Sequence, residues 1–539
     1  MRRLILLALL PVLAAFLSCG GKNYDFNRQL DRRINGDLEK RANLVKSNPL
    51  YFELVDRLAK GRRLLVAGQG SEAFLEFDKI LTDTRFAKYP EYNYAKYYIA
   101  CALYEMGVDY GALLYFVDIV RQEPLRLHTH ESLGRAIKIA QKLKDDQLIL
   151  FLSSSIEPEK VPRSLREEFR YFIAKEHYQR QQYDKASELL NSIPHINRLY
   201  LAALYLKGTI GVIKKDFRAA VKSFQEISNA RSPVMYYEDH RIRQLANLAL
   251  GRIFYEQRNY PLSIVYYKKV ERDGEFFPLA LYESTWALFK LNRFNEALAV
   301  LKSLNSPFYE QIYFLKSYLL KGAIDLELCN YQEAVGTLST LETRFGGLKD
   351  EIDQFAGQAR SPEEYYPLLS SMKRAPDGTK TFAYESLFRL AAANRDFLGV
   401  HRYIRTLQYE KDVLKGVPSS RSALLTQLIN QKISELTLKA SYLAGKKLLL
   451  TRQMIEDFQG LKDQVHLEIV TAERKILQKR ALGLAPPVIP GQELISPKFT
   501  ESLRETLVWW DYDGEYWKDE LGYYLVDRKS RCKETEGGK

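Results

Sequence analysis

The sequence predicts an all-α protein built largely from stacked pairs of helices. Three observations support this: small, aromatic and aliphatic residues recur at intervals of thirty-four, lengthened by insertions of about nine and of three residues at two places; proline and glycine are sparse; and an apolar stripe with helical spacing covers residues 425–476. Leu, Ala, Lys, Glu and Tyr are plentiful, a balance that favours helix over sheet. No internal stretch of eighteen apolar residues occurs, so we expect the body of the chain to lie in water.

Residues 1–18 have the pattern of a signal peptide. Two arginines precede an apolar stretch, residues 4–17, that is too short to span a bilayer. The stretch ends in Ser18-Cys19-Gly20, which resembles a bacterial lipobox, with an ordinary secretory signal as the alternative. The resemblance implies that Cys19 is lipidated and anchors an outer-membrane lipoprotein facing the periplasm. Residues 19–47 are expected to form a tether that becomes helical, with a first amphipathic helix as the alternative.

The repeats are clearest between residues 165 and 345, where five positions recur. They are filled by Ala174, Tyr183, Ala186, Leu190, Ile193; by Gly208, Phe217, Ala220, Phe224, Ile227; by Gly251, Tyr260, Ser263, Tyr267, Val270; by Thr285, Phe294, Ala297, Leu301, Leu304; and by Gly322, Tyr331, Ala334, Leu338, Leu341. Small residues let two helices approach closely, and the aromatic fills the gap beside the turn. The pattern resembles the tetratricopeptide repeat. It implies a superhelix of about eight helix pairs over residues 48–345, which offers a binding surface.

Two earlier repeats fit the same offsets less closely. The first has Gly61, Gly68, Ala73, Phe77 and Ile80. The second has Cys101, Tyr110, Leu113, Val117 and Val120, where Leu113 stands in place of a small residue. A third, residues 131–156, is degraded.

The cysteines beyond Cys19 are far apart and odd in number, which argues against a disulfide framework. We expect Cys101 and Cys329 to be small buried residues. Cys532 lies in the polar tail, where we expect a free thiol.

Beyond residue 345 the period is lost. Residues 346–417 are expected to form a helical connector, and residues 418–482 a long helix or a coiled-coil hairpin. The apolar positions of that segment are Leu425, Ile429, Ile433, Leu436, Ala440, Leu443, Leu450, Met454, Phe458, Leu461, Val465, Ile469, Ala472 and Ile476. Residues 483–539 are expected to form an extended linker and an aromatic tail.

The tail contains a cluster of aromatic residues, Trp509, Trp510, Tyr516 and Trp517, that needs to be covered. They pack on the chain's own long helices or form a second interaction patch for a partner or saccharide. The tail resembles that of repeat-containing lipoproteins of gliding and predatory bacteria, some of them linked to motility complexes.

The resemblance to tetratricopeptide arrays also assigns a candidate partner-binding groove, because four positions of the first helix line the concave face. Those positions carry Tyr98, Tyr171, Lys175, Tyr178, Tyr205, Arg252, Tyr255, Tyr282, Trp286 and Phe289. Aromatic bodies with polar tips, beside occasional cations, suit a bound peptide or helix. The alternative is that many of them pack against the neighbouring helix.

Motifs for catalysis, metal binding or cofactor binding are not convincing. The glycine pattern at Gly68-Gln69-Gly70 has no preceding strand, and His130-Glu131 lacks the second histidine of a zincin motif, because Gly134 stands there. We therefore expect no enzyme activity, no metal and no cofactor. The formal charge is +13, or about +11 without Arg2 and Arg3, and the cations are scattered, as on solvated helix faces.

The sequence thus predicts a non-catalytic periplasmic scaffold that binds other envelope proteins through its repeats. An exported protein is not expected to meet nucleic acid. The alternatives are a factor for assembling outer-membrane barrels and a protein that handles peptidoglycan or other glycans.

Overall fold

The all-α prediction is confirmed by a computed structural model of the chain. It describes residues 48–122, 127–143, 145, 161, 163–230, 237–309, 315–374, 380–482 and 518–532. Among these residues, the only sheet is a pair of short antiparallel strands, β1 (Met372–Arg374) and β2 (Lys380–Phe382), in which Lys373 faces Thr381.

Most helices follow one another as pairs joined by short turns. The helices up to residue 304 are α1 (Pro49–Val66), α2 (Gly70–Thr82), α3 (Tyr92–Glu105), α4 (Asp109–Gln122), α5 (Leu127–Leu143), α6 (Arg163–Gln179), α7 (Tyr183–Asn191), α8 (Tyr200–Ile213), α9 (Phe217–Asn229), α10 (Tyr237–Glu256), α11 (Tyr260–Lys268), α12 (Phe277–Lys290) and α13 (Phe294–Leu304). The later ones are α14 (Leu315–Glu327), α15 (Tyr331–Gln358), α16 (Tyr365–Leu369), α17 (Glu385–Ala392), α18 (Arg395–Lys415) and α19 (Ser420–Ala481). Short 3-10 turns occupy Thr84–Lys88, Pro307–Tyr309, Pro362–Glu364 and Lys518–Glu520.

The described residues divide into two compact units. Unit 1 contains α1–α7, α18 and the start of α19, up to Ala440. Unit 2 contains α8–α17, the rest of α19 from Ser441, and residues 518–532.

Seven helix pairs share one turn geometry. A single residue in the left-handed region follows the first helix of each pair: Gly68, Gly107, Gln181, Lys215, Arg258, Asn292 and Cys329, with φ between 55° and 76°. In the turn at Lys215, its own N–H donates to the carbonyl of Val212, and the N–H of Asp216 donates to the carbonyl of Gly211. The same two bonds recur in the other six turns. This is a Schellman motif, which satisfies the last carbonyls of the helix and reverses the chain.

A close contact between helices explains the small residue of the repeat. A Cβ atom added at Gly208 would lie 2.6 Å from the Phe224 ring, sixteen residues later in the second helix. The Phe77 ring lies equally close to such an atom at Gly61, and the Tyr267 ring does so at Gly251. In these repeats, the recurring sixteen-residue spacing therefore corresponds to a contact between an aromatic ring of the second helix and the backbone of the first.

The turn geometry corrects the alignment of the second repeat. Its left-handed residue is Gly107, one position earlier than the predicted alignment requires. The small buried residues are consequently Ala100 and Ala112, both fully buried, so that Leu113 does not occupy the small position. Cys101 is also fully buried, as expected, but it is disulfide-bonded, against the expectation that the cysteines do not form disulfides.

The region beyond the repeats differs from the prediction in one boundary and in its secondary structure. The predicted boundary at residue 345 lies inside α15, which continues without a break to Gln358. The connector contains the two short strands as well as helices. Of the two alternatives for residues 418–482, the structure has one continuous helix of 62 residues.

The buried face of α19 follows the predicted stripe only in part. Leu425, Ile429, Leu436, Ala440, Phe458 and Ile469 are buried as predicted. In the middle, however, Leu450 is 48% exposed, and Ala444, Leu448 and Ile455 are buried instead. Beside this buried face, Gly445 lies against Tyr365 of α16, where a Cβ atom would come within 3.1 Å of the ring.

Within unit 1, α18 is held against the repeats by a buried carboxyl group. Glu410 is fully buried and accepts hydrogen bonds from the backbone N–H groups of Tyr110 (2.9 Å) and Gly111 (3.4 Å), in the first turn of α4. These N–H groups have no partner inside their own helix, so the carboxyl oxygens of Glu410 cap it. Burial raises the pKa of Glu410 to about 8. Nearby, the guanidinium of Arg421 donates to Asp78 at 2.7 Å.

The glycine–ring contact predicts opposite effects for two matched substitutions. Gly208→Ala forces the buried Phe224 ring to move, and overpacking of this kind costs roughly 1–3 kcal/mol. Gly322, at the same position of another repeat, has no atom within 4 Å of an added Cβ. Gly322→Ala should therefore gain stability, by up to about 1 kcal/mol, from helix propensity. Urea unfolding followed by circular dichroism measures both. Equal midpoint shifts for the two variants would contradict the close contact.

Glu410 predicts a pH dependence of stability. In the unfolded chain this carboxyl ionises near pH 4.5, but in the folded chain only near pH 8. The folded state therefore binds more protons between these values, and the free energy of unfolding should fall as the pH rises from about 4.5 to about 8. Glu410→Gln removes this dependence, a difference on the order of a few kcal/mol. Unfolding curves between pH 5 and pH 8.5 test it.

The control for this experiment is Asp412→Asn, an exposed position on the same helix whose carboxylate pairs with Lys415. This variant should keep the wild-type pH profile. Parallel profiles for the wild type and Glu410→Gln would show that the buried carboxyl is not the titrating group.

Candidate partner-binding surface

Six of the predicted groove residues lie on the first helices of three repeats in unit 2. We call them the α8–α12 strip: Tyr205 on α8, Arg252 and Tyr255 on α10, and Tyr282, Trp286 and Phe289 on α12. The first helices of neighbouring repeats contact one another, so the strip continues from α8 through α10 to α12. The fold thus brings together predicted residues that are up to 84 positions apart in sequence.

The aromatic rings of the strip are half-buried. Tyr255 packs edge-on against Tyr260 at 5.3 Å, and Phe289 packs against Phe294 at 5.7 Å, each a contact with the aromatic residue just after the turn. Trp286 lies 6.2 Å from Phe289. Tyr255, Tyr282, Trp286 and Phe289 also contact the core cluster that contains Leu281 and Leu301. Each ring therefore presents one side to the core and leaves part of its surface in water.

An ion pair lies in the middle of the strip. The Arg252 guanidinium donates to both oxygens of Glu283 on α12, at 2.6 and 2.8 Å. This hydrogen bond raises the pKa of Arg252. Glu283 also accepts from the hydroxyl of Tyr267, and burial together with the charge of Glu283 raises the pKa of that hydroxyl. Glu283 was not predicted from the sequence, although it faces Arg252 from the next repeat. The opposite charges of Arg252 and Glu283 leave the centre of the strip without net charge.

Three further predicted residues, Tyr171, Lys175 and Tyr178, lie on α6 in unit 1, and each is partly exposed. The ring of Tyr178 packs edge-on against Tyr183 at 5.9 Å, an arrangement like that of Tyr255 and Tyr260. Their partial exposure on α6 is the exposure that the predicted groove positions require.

Tyr98 is not a groove residue, and its assignment was wrong. It is only 3% exposed and stacks on Phe77 at 5.5 Å. The guanidinium of Arg62 lies over its ring. Realignment of the second repeat by one residue moves this groove position to Tyr97, which is only 1% exposed, so neither residue faces a groove.

The C-terminal segment, defined as residues 518–532, lies on the repeats of unit 2. Its Leu521 is 2% exposed and joins the core cluster of α12–α14. Its Arg528 donates to the fully buried Asp325 at 2.6 Å. Cys532 forms a disulfide with Cys329, 203 residues earlier. The segment therefore packs on repeat helices rather than on α19.

The disulfide corrects the expectations for both cysteines. Cys329 is not a small buried residue of the first helix but the left-handed residue of the turn after α14, and Cys532 is not a free thiol. The repeat alignment contained a signal for this. The equivalent turn residues Gln181, Lys215, Arg258 and Asn292 are all exposed, so a cysteine at this position presents its sulfur outward.

Cys19, Trp509, Trp510, Tyr516 and Trp517 lie outside the described residues. In the part of the chain that the structure covers, no group of three His, Cys, Asp or Glu side chains is placed to hold a metal ion. No helix among the same residues is long and apolar enough to cross a bilayer.

Comparison with known proteins adds no assignment. No protein-family model matches this chain. No curated protein matches it significantly either. The interpretation of the surface therefore depends on its chemistry.

Proposed function

We propose that this protein is a non-catalytic scaffold that binds other proteins through the α8–α12 strip. The observation that carries the proposal is the row of half-buried aromatic rings on successive first helices. Rigid rings with apolar bodies and polar tips dominate the binding energy of protein interfaces. The ion pair of Arg252 with Glu283 leaves the row without net charge at its centre, which suits a peptide or helix better than a polyanion.

We further propose that the helix pairs form a superhelix of the tetratricopeptide type. Seven equivalent turns support this, because an array needs the same step from each pair to the next. Such an array presents its first helices along one continuous face, where an extended or helical partner can contact several repeats at once.

The proposed location is the periplasmic side of the outer membrane, with the chain anchored through lipidated Cys19. The bond between Cys329 and Cys532 supports an exported location, because stable disulfides occur mainly in oxidising compartments. Envelope complexes are the expected partners, with motility complexes as the first class to test. Barrel-assembly components and peptidoglycan are the alternatives.

A blocking substitution tests the strip without disturbing the core. Val212 is 36% exposed at a partner-facing position of α8, so Val212→Glu places a charge beside the strip and leaves the aromatic contacts in place. We expect at least fivefold less partner recovered from crosslinked envelopes. Val265→Glu is the control, since Val265 is 49% exposed on the second helix α11. Equal recovery with both variants would reject the strip as the binding surface.

The identity of the recovered material separates the alternatives. Motility or other trans-envelope proteins support the scaffold proposal, whereas barrel-assembly components or bare peptidoglycan support the two alternatives.

The anchor is tested separately. Two or three acyl chains on one cysteine give stable membrane attachment, and their loss should release the protein. We therefore expect Cys19→Ala to move the protein from the membrane fraction to the soluble fraction or to its unprocessed precursor. Ser18→Ala, which keeps a small residue beside the cysteine, should leave it in the membranes. Membrane retention of Cys19→Ala would favour the ordinary secretory signal.

A further inference from the structure

The C-terminal segment binds unit 2 as an extended peptide binds a receptor. Leu521 is buried among apolar side chains of α12–α14, and Tyr524 and Val526 pack against the same cluster. Gly522 lies against the ring of Phe277, where a Cβ atom would come within 3.4 Å. The segment begins with a 3-10 turn, Lys518–Glu520, and residues 521–531 have no regular secondary structure.

Side-chain and carbonyl oxygens of unit 2 accept hydrogen bonds from the backbone N–H groups of the segment. Ser303 Oγ accepts from Gly522 at 2.8 Å, and Asn295 Oδ1 accepts from Arg528 at 3.1 Å. The carbonyl of Leu328 accepts from the N–H of Arg531 at 2.9 Å. Contacts to the backbone do not depend on side-chain identity, so this surface can accept extended peptides in general.

Two side-chain sites add selectivity. The first is the apolar site filled by Leu521. The second is Asp325, a fully buried carboxylate that receives the Arg528 guanidinium at 2.6 Å and Lys321 Nζ at 3.2 Å. Loss of one partner from a buried charge is strongly destabilising. A suitable peptide therefore carries a large apolar residue and, seven positions later, an arginine.

The disulfide is the only covalent bond that holds the segment to this surface. Cys329 and Cys532 are both partly exposed. Apart from Leu521, no side chain of the segment is fully enclosed among the residues whose exposure is described. Without the disulfide, the segment is joined covalently to α19 only through residues 483–517, and effective concentration falls as a connecting chain lengthens.

We propose that this surface of α12–α15 is an exchangeable peptide-docking site, filled in cis by residues 518–532 and opened when a dithiol reduces the Cys329–Cys532 disulfide. The proposal concerns a surface other than the α8–α12 strip and does not depend on the function proposed for that strip. The opened site binds an extended peptide with the Leu and Arg spacing of the segment itself.

The redox step is thiol–disulfide exchange. A thiolate of the dithiol attacks one sulfur of the protein disulfide, which forms a mixed disulfide and releases the other cysteine as a thiolate. The second thiol of the reductant then breaks the mixed disulfide and forms the reductant's own disulfide. Two electrons and two protons pass to the protein, which leaves Cys329 and Cys532 as thiols.

The test uses the full chain and a fluorescein-labelled peptide with the sequence of residues 518–532, in which serine replaces the cysteine. Fluorescence anisotropy measures its binding to the oxidised protein, the protein reduced with dithiothreitol, and the Cys329→Ser/Cys532→Ser variant. We expect binding to the last two and at least tenfold weaker binding to the oxidised protein. A matched peptide with Arg528→Ala should bind at least tenfold more weakly than the parent peptide.

Hydrogen exchange gives a second readout that requires no added peptide. Reduction should speed exchange of the amides of Gly522, Arg528 and Arg531, while the turn amides of Asp216 and Asn259 stay protected. Unchanged protection of the segment after reduction would overturn the proposal, because the segment would then be a permanent part of the fold. Equal peptide binding by the oxidised and reduced proteins, or loss of helical circular dichroism on reduction, would overturn it as well.

Discussion

The left-handed turn between paired helices is the constraint on which the rest of the structure depends. One residue with positive φ and two backbone hydrogen bonds close each first helix and start the second at a set position. The position of that residue decides which side chains meet between the helices and which face water. The glycine–ring contacts and the half-buried rings of the α8–α12 strip follow from this single choice of register.

In five of the seven turns the left-handed residue is not glycine, although a side chain makes this conformation unfavourable. Tertiary packing must therefore supply the stability that the turn itself lacks, and the ring of Phe224 against Gly208 or of Tyr267 against Gly251 provides such packing. Local backbone conformation and contact between helices thus support each other. This mutual support explains why the spacing of the five positions within each repeat is constant while the residues that fill them vary.

Much of the fold could be predicted from the sequence, because the interactions that specify it are local. Positions such as Gly208, Phe217 and Phe224 lie within one helix pair, so their spacing appears directly in the chain. The alignment of the second repeat was wrong because Tyr110 resembles the aromatic residue that follows the turn. Gly107 places that turn one residue earlier. In α19, Gly445 packs against Tyr365, about eighty residues away, a contact that no periodicity within the helix can reveal.

The candidate surface also has local features that the sequence predicts and long-range contacts that it does not. The ring positions of the strip followed from the repeat spacing, whereas the role of Glu283 required knowledge of which side chains neighbouring repeats bring together. The docking of Leu521 and Arg528 depends on contacts across about two hundred residues, and only the exposed turn position of Cys329 pointed to it. Local spacing therefore identifies helices and faces, while long-range partners need the folded chain.

The link between Cys329 and Cys532 also has a mechanical consequence. It closes a covalent ring over 203 sequence positions, and that ring includes the whole of α19. Tension applied at the two chain ends passes through the sulfur–sulfur bond, so the enclosed residues carry no load and cannot be drawn out. When force is applied between the two chain ends, the length that can unravel is therefore limited to the part outside the ring.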